Sequence, residues 1–150
     1  MGQTTFVMLK PDALERNLTD LIVKQLENDG IEIVRKRQVT VDQKRILNHY
    51  EDVLKRAKNP RFKPFIIKAF VGRDVLVLEV KKKTEDIINY MQQKIGKKDP
   101  ALANKNTIRG LYGIDSLTKA RAENRILKNV IHTASSLEEA QKELTLWFDS

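Results

Sequence analysis

The 150-residue sequence predicts an α+β sandwich of the ferredoxin-like kind, a four-stranded antiparallel sheet covered by helices in the order βαββαβ. Three observations carry that expectation. Apolar runs short enough for strands, as at residues 4–9 and 75–80, alternate with stretches whose apolar residues recur every three or four positions. Turn and capping residues fall between them, among them Pro11, Asn28-Asp29-Gly30, Asp42 and Ser135-Ser136. The length fits a single domain over residues 1–150, long enough to bury most of its apolar side chains around one core.

Residues 4–9 read as a buried strand that Pro11 ends. Leu18, Leu21, Ile22 and Leu26 then recur at helical spacing until Asn28-Asp29-Gly30 stops the helix. Residues 31–41 set Ile31, Ile33, Val39 and Val41 around a basic middle, Arg35-Lys36-Arg37, and read as a long strand. Asp42 caps a helix expected to run to about Lys58, with Ile46, Tyr50, Val53 and Leu54 on one face. A turn-rich connection with two prolines follows, and residues 65–70 continue as a short helix before Gly72. Residues 75–80 give the clearest strand pattern. Thr84 caps the next helix, expected over residues 85–94 and closed by Gly96, and the polar residues 97–106 form a surface loop. Residues 117–127 are charged and mildly helical inside what is otherwise a connection. Residues 129–131 supply a last short strand. Two overlapping capping boxes, Ser135 with Glu138 and Ser136 with Glu139, open a final helix with Leu137, Ala140, Leu144, Trp147 and Phe148 as its buried stripe. Sandwiches of this order host enzymes and RNA-binding modules alike, so function rests on the site.

Lysine and arginine number 28 against 20 aspartate and glutamate, for a formal charge of +8, and the pI is near 9.7. That balance attracts polyanions, and it admits nucleotide, nucleic acid and anionic membrane surface alike. The runs Lys81-Lys82-Lys83 and Lys97-Lys98 read first as solvated surface. Cysteine is absent, which excludes disulfides, thiolate metal sites and cysteine nucleophiles and is compatible with a reducing cytoplasm. No stretch resembles a signal peptide or a membrane span, so the expected location is cytoplasmic, with no membrane partner.

One of the two histidines, His132, ends the apolar run Asn129-Val130-Ile131-His132. A neutral imidazole attacks phosphorus without a metal or base, but it needs an acceptor for the proton on its other nitrogen. Glu143, beside Leu144 at the edge of the last helix's apolar stripe, suits that part. The local residues alone favour a histidine that merely ends a core strand. Phosphoryl transfer also calls for cations around the phosphates, and Lys10 and Arg109 are the candidates, each with an ordinary surface or ion-pair reading beside it. Glycine-rich phosphate loops are missing, and no spacing of histidines and acids suggests a protein-held metal. Any divalent ion is therefore expected on the substrate phosphates, as magnesium usually is.

Taken in order, Leu9-Lys10-Pro11-Asp12, His49-Tyr50, Asn106-Thr107-Ile108-Arg109-Gly110, Asn129-Val130-Ile131-His132, and Glu138 with Leu146-Trp147-Phe148 resemble the nucleoside diphosphate kinase family over nearly the whole chain. The resemblance implies a ping-pong exchange. A nucleoside triphosphate phosphorylates His132, a nucleoside diphosphate collects the phosphoryl group, and Mg2+ bridges the nucleotide phosphates. By position, Lys10 would bond the ribose and terminal phosphate, Tyr50 and Arg109 would steady the phosphates, and Phe62 would stack on the base. Asn129 would meet the ribose and Glu143 would orient His132, while His49 is given a structural part. A homo-oligomer is implied, with nucleic acid a secondary partner.

The sequence departs from the family pattern in three ways. Lys98 and Gln92 stand where a phosphate-binding threonine and arginine are usual, and Lys98 is expected to supply the charge lost at Gln92. Ala134 stands where a serine is usual, with Ser135 after it. Arg109 and His132 are about ten residues further apart than in the family pattern, which fits an insertion around residues 115–127. The competing readings are a basic nucleic-acid-binding module and a weakened homologue that keeps nucleotide binding. The strand at residues 75–80 carries no aromatic residue of the kind that RNA-binding sheets use for stacking.

Overall fold

A computed structural model describes residues 3–149; Met1, Gly2 and Ser150 of the expected 1–150 domain lie outside the described residues. Four strands, β1 (Gln3–Leu9), β2 (Glu32–Thr40), β3 (Asp74–Lys82) and β4 (Ile131–Thr133), form one sheet in the order β2-β3-β1-β4 with every pairing antiparallel. The helices in chain order are α1 (Pro11–Glu15), α2 (Thr19–Asn28), α3 (Gln43–His49), α4 (Glu51–Arg56), α5 (Phe62–Phe70), α6 (Ile87–Ile95), α7 (Ile108–Tyr112), α8 (Leu117–Ala122) and α9 (Leu137–Phe148).

The sheet carries a core on each face, which is why β1 reads as a continuous apolar run rather than an alternating one. Val7 and Leu9 of β1 join Leu76, Leu78 and Val80 of β3 against Ile22 and Leu26 of α2 and Ile87, Met91 and Ile95 of α6. Phe6 and Met8, with Val75 and Val77, face the other way, onto Ile46 of α3, Ile66 and Phe70 of α5, and Trp147 of α9. Helices cover β1 and β3 on both faces. β2 lies at the edge with its central Arg35, Lys36 and Arg37 exposed, a charged edge that discourages pairing with another sheet. Part of that basic run reaches the end of α9: Arg35 bonds Glu79 at 2.7 Å and Asp149 at 3.2 Å, and Arg37 donates to the Trp147 carbonyl at 2.9 Å.

Several boundaries differ from those the sequence suggests, each for a local reason. The helix expected from Asp42 to Lys58 is broken at Tyr50, which caps α3 and opens α4, and α4 buries none of its residues. Asp86 and not Thr84 caps α6, its side chain accepting from the Asn89 amide at 3.1 Å. α5 begins at Phe62 because Pro64 falls in the first turn, where a helix forms no bond to that nitrogen anyway. The last strand starts two residues later than expected, since Val130 has a positive φ of 61° and stands outside the ladder. Along α9, Leu137 is 59% exposed and Glu143 takes a place in the buried stripe with Ala140 and Trp147. Leu21 of α2 is also exposed, leaving Ile22 and Leu26 as its buried face.

Candidate active site

The sequence around His132 folds into a turn that helix and strand patterns do not describe. The Ile131 amide bonds the Asn129 carbonyl at 2.7 Å, closing a three-residue turn about Val130. A β-branched residue at positive φ is strained, and two contacts hold it there. The Val130 amide donates to Asp12 Oδ2 at 3.1 Å, and its carbonyl accepts from the Lys10 amide at 2.8 Å. The turn delivers His132 to β4 opposite Met8, hence onto the sheet face that α9 covers.

Glu143, 4% exposed, lies against that imidazole. His132 Nε2 is 3.1 and 3.0 Å from its two carboxylate oxygens. Nε2 is thereby committed, and Nδ1 is the nitrogen that faces the cleft unencumbered. Behind the carboxylate stands His49, whose Nδ1 accepts from the Trp147 indole N–H at 3.0 Å. That bond places the His49 proton on Nε2, which is 3.7 Å from Glu143 Oε2. The two rings meet edge to face, 4.9 Å between centroids. Burial holds His132 neutral, its pKa lowered to about 4, and lowers that of His49 to about 3, while it pushes the Glu143 carboxyl up to about 8. His49, Glu143 and His132 offer ligand atoms within 4.8 Å of one another, close enough for a metal, but one ring nitrogen of each histidine is already engaged, Nε2 of His132 with Glu143 and Nδ1 of His49 with Trp147.

In front of His132 opens a cleft of about 400 Å³. Lys10, Tyr50, Gln92, Lys98, Arg109 and Asn129 line it, and so do Val53, Arg56, Thr133, Ser135 and Glu139. The buried Lys10 ammonium donates to the Leu127 carbonyl at 3.1 Å and to Asn129 Oδ1 at 2.7 Å, and burial lowers its pKa to about 8. Asn129 extends the link, its amide donating to the Lys98 carbonyl at 3.0 Å. Arg109 is held by the Gly96 carbonyl at 3.1 Å and the Ile131 carbonyl at 2.8 Å, while its buried Nε has no protein partner. Burial lowers its pKa to about 10 and raises that of Tyr50, so that the phenol keeps its proton at neutral pH. Among the expected nucleotide-binding residues, Phe62 does not line this cleft; half-buried, it packs against the core on the α9 face of the sheet.

The segment at residues 115–127 does not line the cleft but reaches Lys10 through Leu127. Asp115 accepts two bonds from the Arg125 guanidinium, at 2.7 and 2.9 Å, and a third from the Lys128 amide at 2.9 Å. The clamp closes a loop around α8 and sets the Leu127 carbonyl beneath the Lys10 ammonium. Sequence reasoning missed Asp12, Arg56, Asp115 and the contact of His49 with Glu143. Two had a signal: Asp12 stands in the quoted motif Leu9-Lys10-Pro11-Asp12, and His49 stands beside the expected site tyrosine with a lone tryptophan able to cap it.

The family model described as nucleoside diphosphate kinase matches residues 3–150. Among curated proteins, a nucleoside diphosphate kinase of Staphylococcus haemolyticus is 33% identical over 97% of this chain and 87% of its own length. One from Methanocaldococcus jannaschii is 32% identical over 99% and 94%. Among solved structures, a transition-state mimic of the Borrelia burgdorferi nucleoside-diphosphate kinase with bound vanadate and ADP superposes with a TM-score of 0.89 at 26% identity, covering 98% of this chain and 87% of that one. An NDP kinase from Pyrobaculum aerophilum gives 0.85 at 26% identity, over 99% and 96%.

Proposed function

Because the chain belongs to the nucleoside diphosphate kinase family, and is thus a phosphotransferase working through a phosphohistidine, we propose that His132 is the residue it phosphorylates. The observation that carries this is the orientation of the ring: Nε2 lies on the Glu143 carboxyl, whose ionised form accepts the Nε2 proton and leaves Nδ1 unprotonated, and His132 lines a cleft with four cations, Lys10, Arg56, Lys98 and Arg109, and the carboxylate of Glu139.

In the first half-reaction Nδ1 attacks the γ-phosphorus, the P–N bond forms, and the bond to the β,γ-bridging oxygen breaks with its electron pair leaving on the nucleoside diphosphate. Positive charge developing on the imidazole is met by Glu143 through the Nε2–H. In the second, a terminal oxygen of another nucleoside diphosphate attacks the same phosphorus and the P–N bond breaks, restoring neutral His132. Lys10, Lys98 and Arg109 neutralise the phosphates, and Tyr50 donates a hydroxyl proton to them. Gln92 offers an amide, and Asn129, already bridging Lys10 to the Lys98 backbone, keeps the ammonium aimed while it meets the ribose. Phe62 remains the candidate for base stacking, from outside the cleft lining. The donors around the cleft include a single carboxylate, Glu139, which fits a Mg2+ carried in on the phosphates and not one held by the protein. Bound there, Mg2+ would neutralise phosphate charge.

We also read residues 115–127 as an insertion and the protein as a homo-oligomer, whose interface would cover exposed apolar side chains such as Leu102, Leu111 and Ile114. No described helix is long and apolar enough to cross a membrane, and a cytoplasmic setting, where nucleotides abound, is the proposed one. Incubation with γ-labelled ATP and Mg2+ tests the assignment. An acid-labile, base-stable label that moves to GDP is expected; label that persists in His132→Ala would reassign the nucleophile.

A further inference from the structure

Arg56 is a cleft cation that none of the roles carried over from the family uses. It ends α4, shares the cleft with Lys10, Lys98 and Arg109, and also borders a smaller hollow of about 100 Å³ beside His132 and Glu143. Because α4 buries none of its residues, core packing does not dictate where this side chain goes. The acids of α4 are committed elsewhere. Glu51 pairs with Lys55 at 3.1 Å and lies 3.8 Å from Lys142. Asp52 stands one turn before Arg56, at the spacing of a helical ion pair, yet its carboxylate lies 3.9 Å from Lys142. Asp52 meets Arg56 only through its carbonyl, which accepts from Nε at 3.3 Å.

The guanidinium is therefore held at Nε, with its terminal nitrogens clear of the α4 carboxylates. Lys10 and Arg109 are the opposite case, since each already donates two bonds inside the protein. A guanidinium with both terminal nitrogens open presents a planar fork, which matches two oxygens of a phosphate. Gln92, in the same cleft, is neutral and brings no charge to those oxygens. We infer that Arg56 is a phosphate-binding residue for the nucleotide, its guanidinium fork entering the cleft from α4 to take oxygens that Lys10 and Arg109 leave unpaired.

The inference rests on the reading of the cleft as the nucleotide site, and the test keeps the two apart. Wild type, Arg56→Ala, Arg56→Lys and Lys55→Ala are compared in two measurements: the rate of labelling by γ-labelled ATP at subsaturating concentration, and equilibrium binding of ADP and of adenosine. Lys55 sits one residue earlier, pairs with Glu51 and does not line the cleft, so it controls for net charge. A lost fork-to-phosphate contact predicts that Arg56→Ala lowers the labelling rate and ADP affinity about tenfold while adenosine binding holds, that lysine restores part of the loss, and that Lys55→Ala stays within about twofold. An Arg56→Ala protein within about twofold of wild type in ADP affinity, or an equal loss in Lys55→Ala, overturns the inference. Wild type that takes no label overturns the proposed function instead, and ADP affinity then decides Arg56 on its own.

Discussion

Replacing Arg125 by alanine should weaken both the fold and the site, because it opens the clamp on residues 115–127. The Asp115 side chain is 5% exposed and that of Arg125 21%, so the pair is largely withdrawn from water. Breaking a buried pair from one side costs about 3–5 kcal/mol, since the remaining charge is left unpaired. Asp115 would keep the Lys128 and Ser116 amides, and Arg125 is partly solvated already, so about 2–3 kcal/mol is the reasonable share. For a chain of this size that lowers the melting temperature by about 6–9 °C. The sign with pH follows from Asp115, whose carboxyl the Arg125 guanidinium holds far below the usual carboxylate range. A depressed carboxyl contributes its stability above the unfolded value, about 3.9, and loses it as pH falls through the folded one. The gap between wild type and variant should therefore be full at neutral pH and shrink in acid. Loss of the Leu127 anchor under Lys10 should also reduce kcat/KM, by about 2- to 10-fold for one hydrogen bond. Scanning calorimetry from neutral to acid pH, with a coupled assay for activity, reads all of this. Asp115→Asn combined with Arg125→Ala should melt above Arg125→Ala alone, because no unpaired charge remains. Melting at neutral pH within about 1 °C of wild type would refute the clamp.

Two further outcomes follow from the groups behind His132. Burial raises the Glu143 carboxyl to about 8, and only its ionised form leaves Nδ1 free by accepting the Nε2 proton. The labelling rate should then climb with pH toward a plateau above about 8, and Glu143→Gln should be slower and lack that rise; a wild-type rate flat between pH 6 and 9 would speak against it. Trp147→Phe keeps most of the packing but removes the indole N–H that His49 Nδ1 accepts. It should cost about 1–3 kcal/mol in urea unfolding and slow labelling, and an unchanged urea midpoint would show that the bond does not hold His49.

The layers were legible because each rests on a pattern with one physical cause. Alternation in β3 sends Val75 and Val77 to one core and Leu76, Leu78 and Val80 to the other, and the i, i+4 pair Ile22 and Leu26 turns α2 inward. Capping was legible where side chain and register agreed, as at Ser136, which accepts from the Glu139 amide at 3.0 Å. It misled at Thr84, where Asp86, two residues on, holds the better position. Lys10, Arg109, His132 and Glu143 were each ambiguous locally. The neighbours of Glu143 place it at the edge of the apolar stripe and made it a candidate acceptor, but they do not tell how deeply it is buried, because a charge there normally faces water. Arg56 was illegible for a related reason: its direction depends on where Asp52 and Lys142 go, which is a tertiary matter.

The places where local rules fail are also the places that build the cleft. Tyr50 interrupts a helix that its apolar spacing would have continued, and both Tyr50 and the end of α4 then face the cleft. Lys10 and Glu143 are charged residues under cover, and Val130 stands at a φ that its branched side chain resists. Each of these costs the fold something, on the order of 1–3 kcal/mol for the backbone outlier alone, and persists because the surrounding sandwich over-determines it. The turn at Val130 shows what the strain secures. With Val130 outside the ladder, β4 begins at Ile131 and His132 pairs with Met8, sharing its face of the sheet with Phe6, Trp147 and Glu143. If Val130 relaxed into an extended conformation and the ladder slipped by one residue, the side chains of β4 would exchange faces, because strand periodicity is two. His132 would then point into the core beside Val7 and Leu9, away from its carboxylate and from the cleft. The same strained turn also carries the Lys10 contact, since Asn129 is its first residue, so one backbone outlier fixes both the proposed nucleophile and the cation beside it.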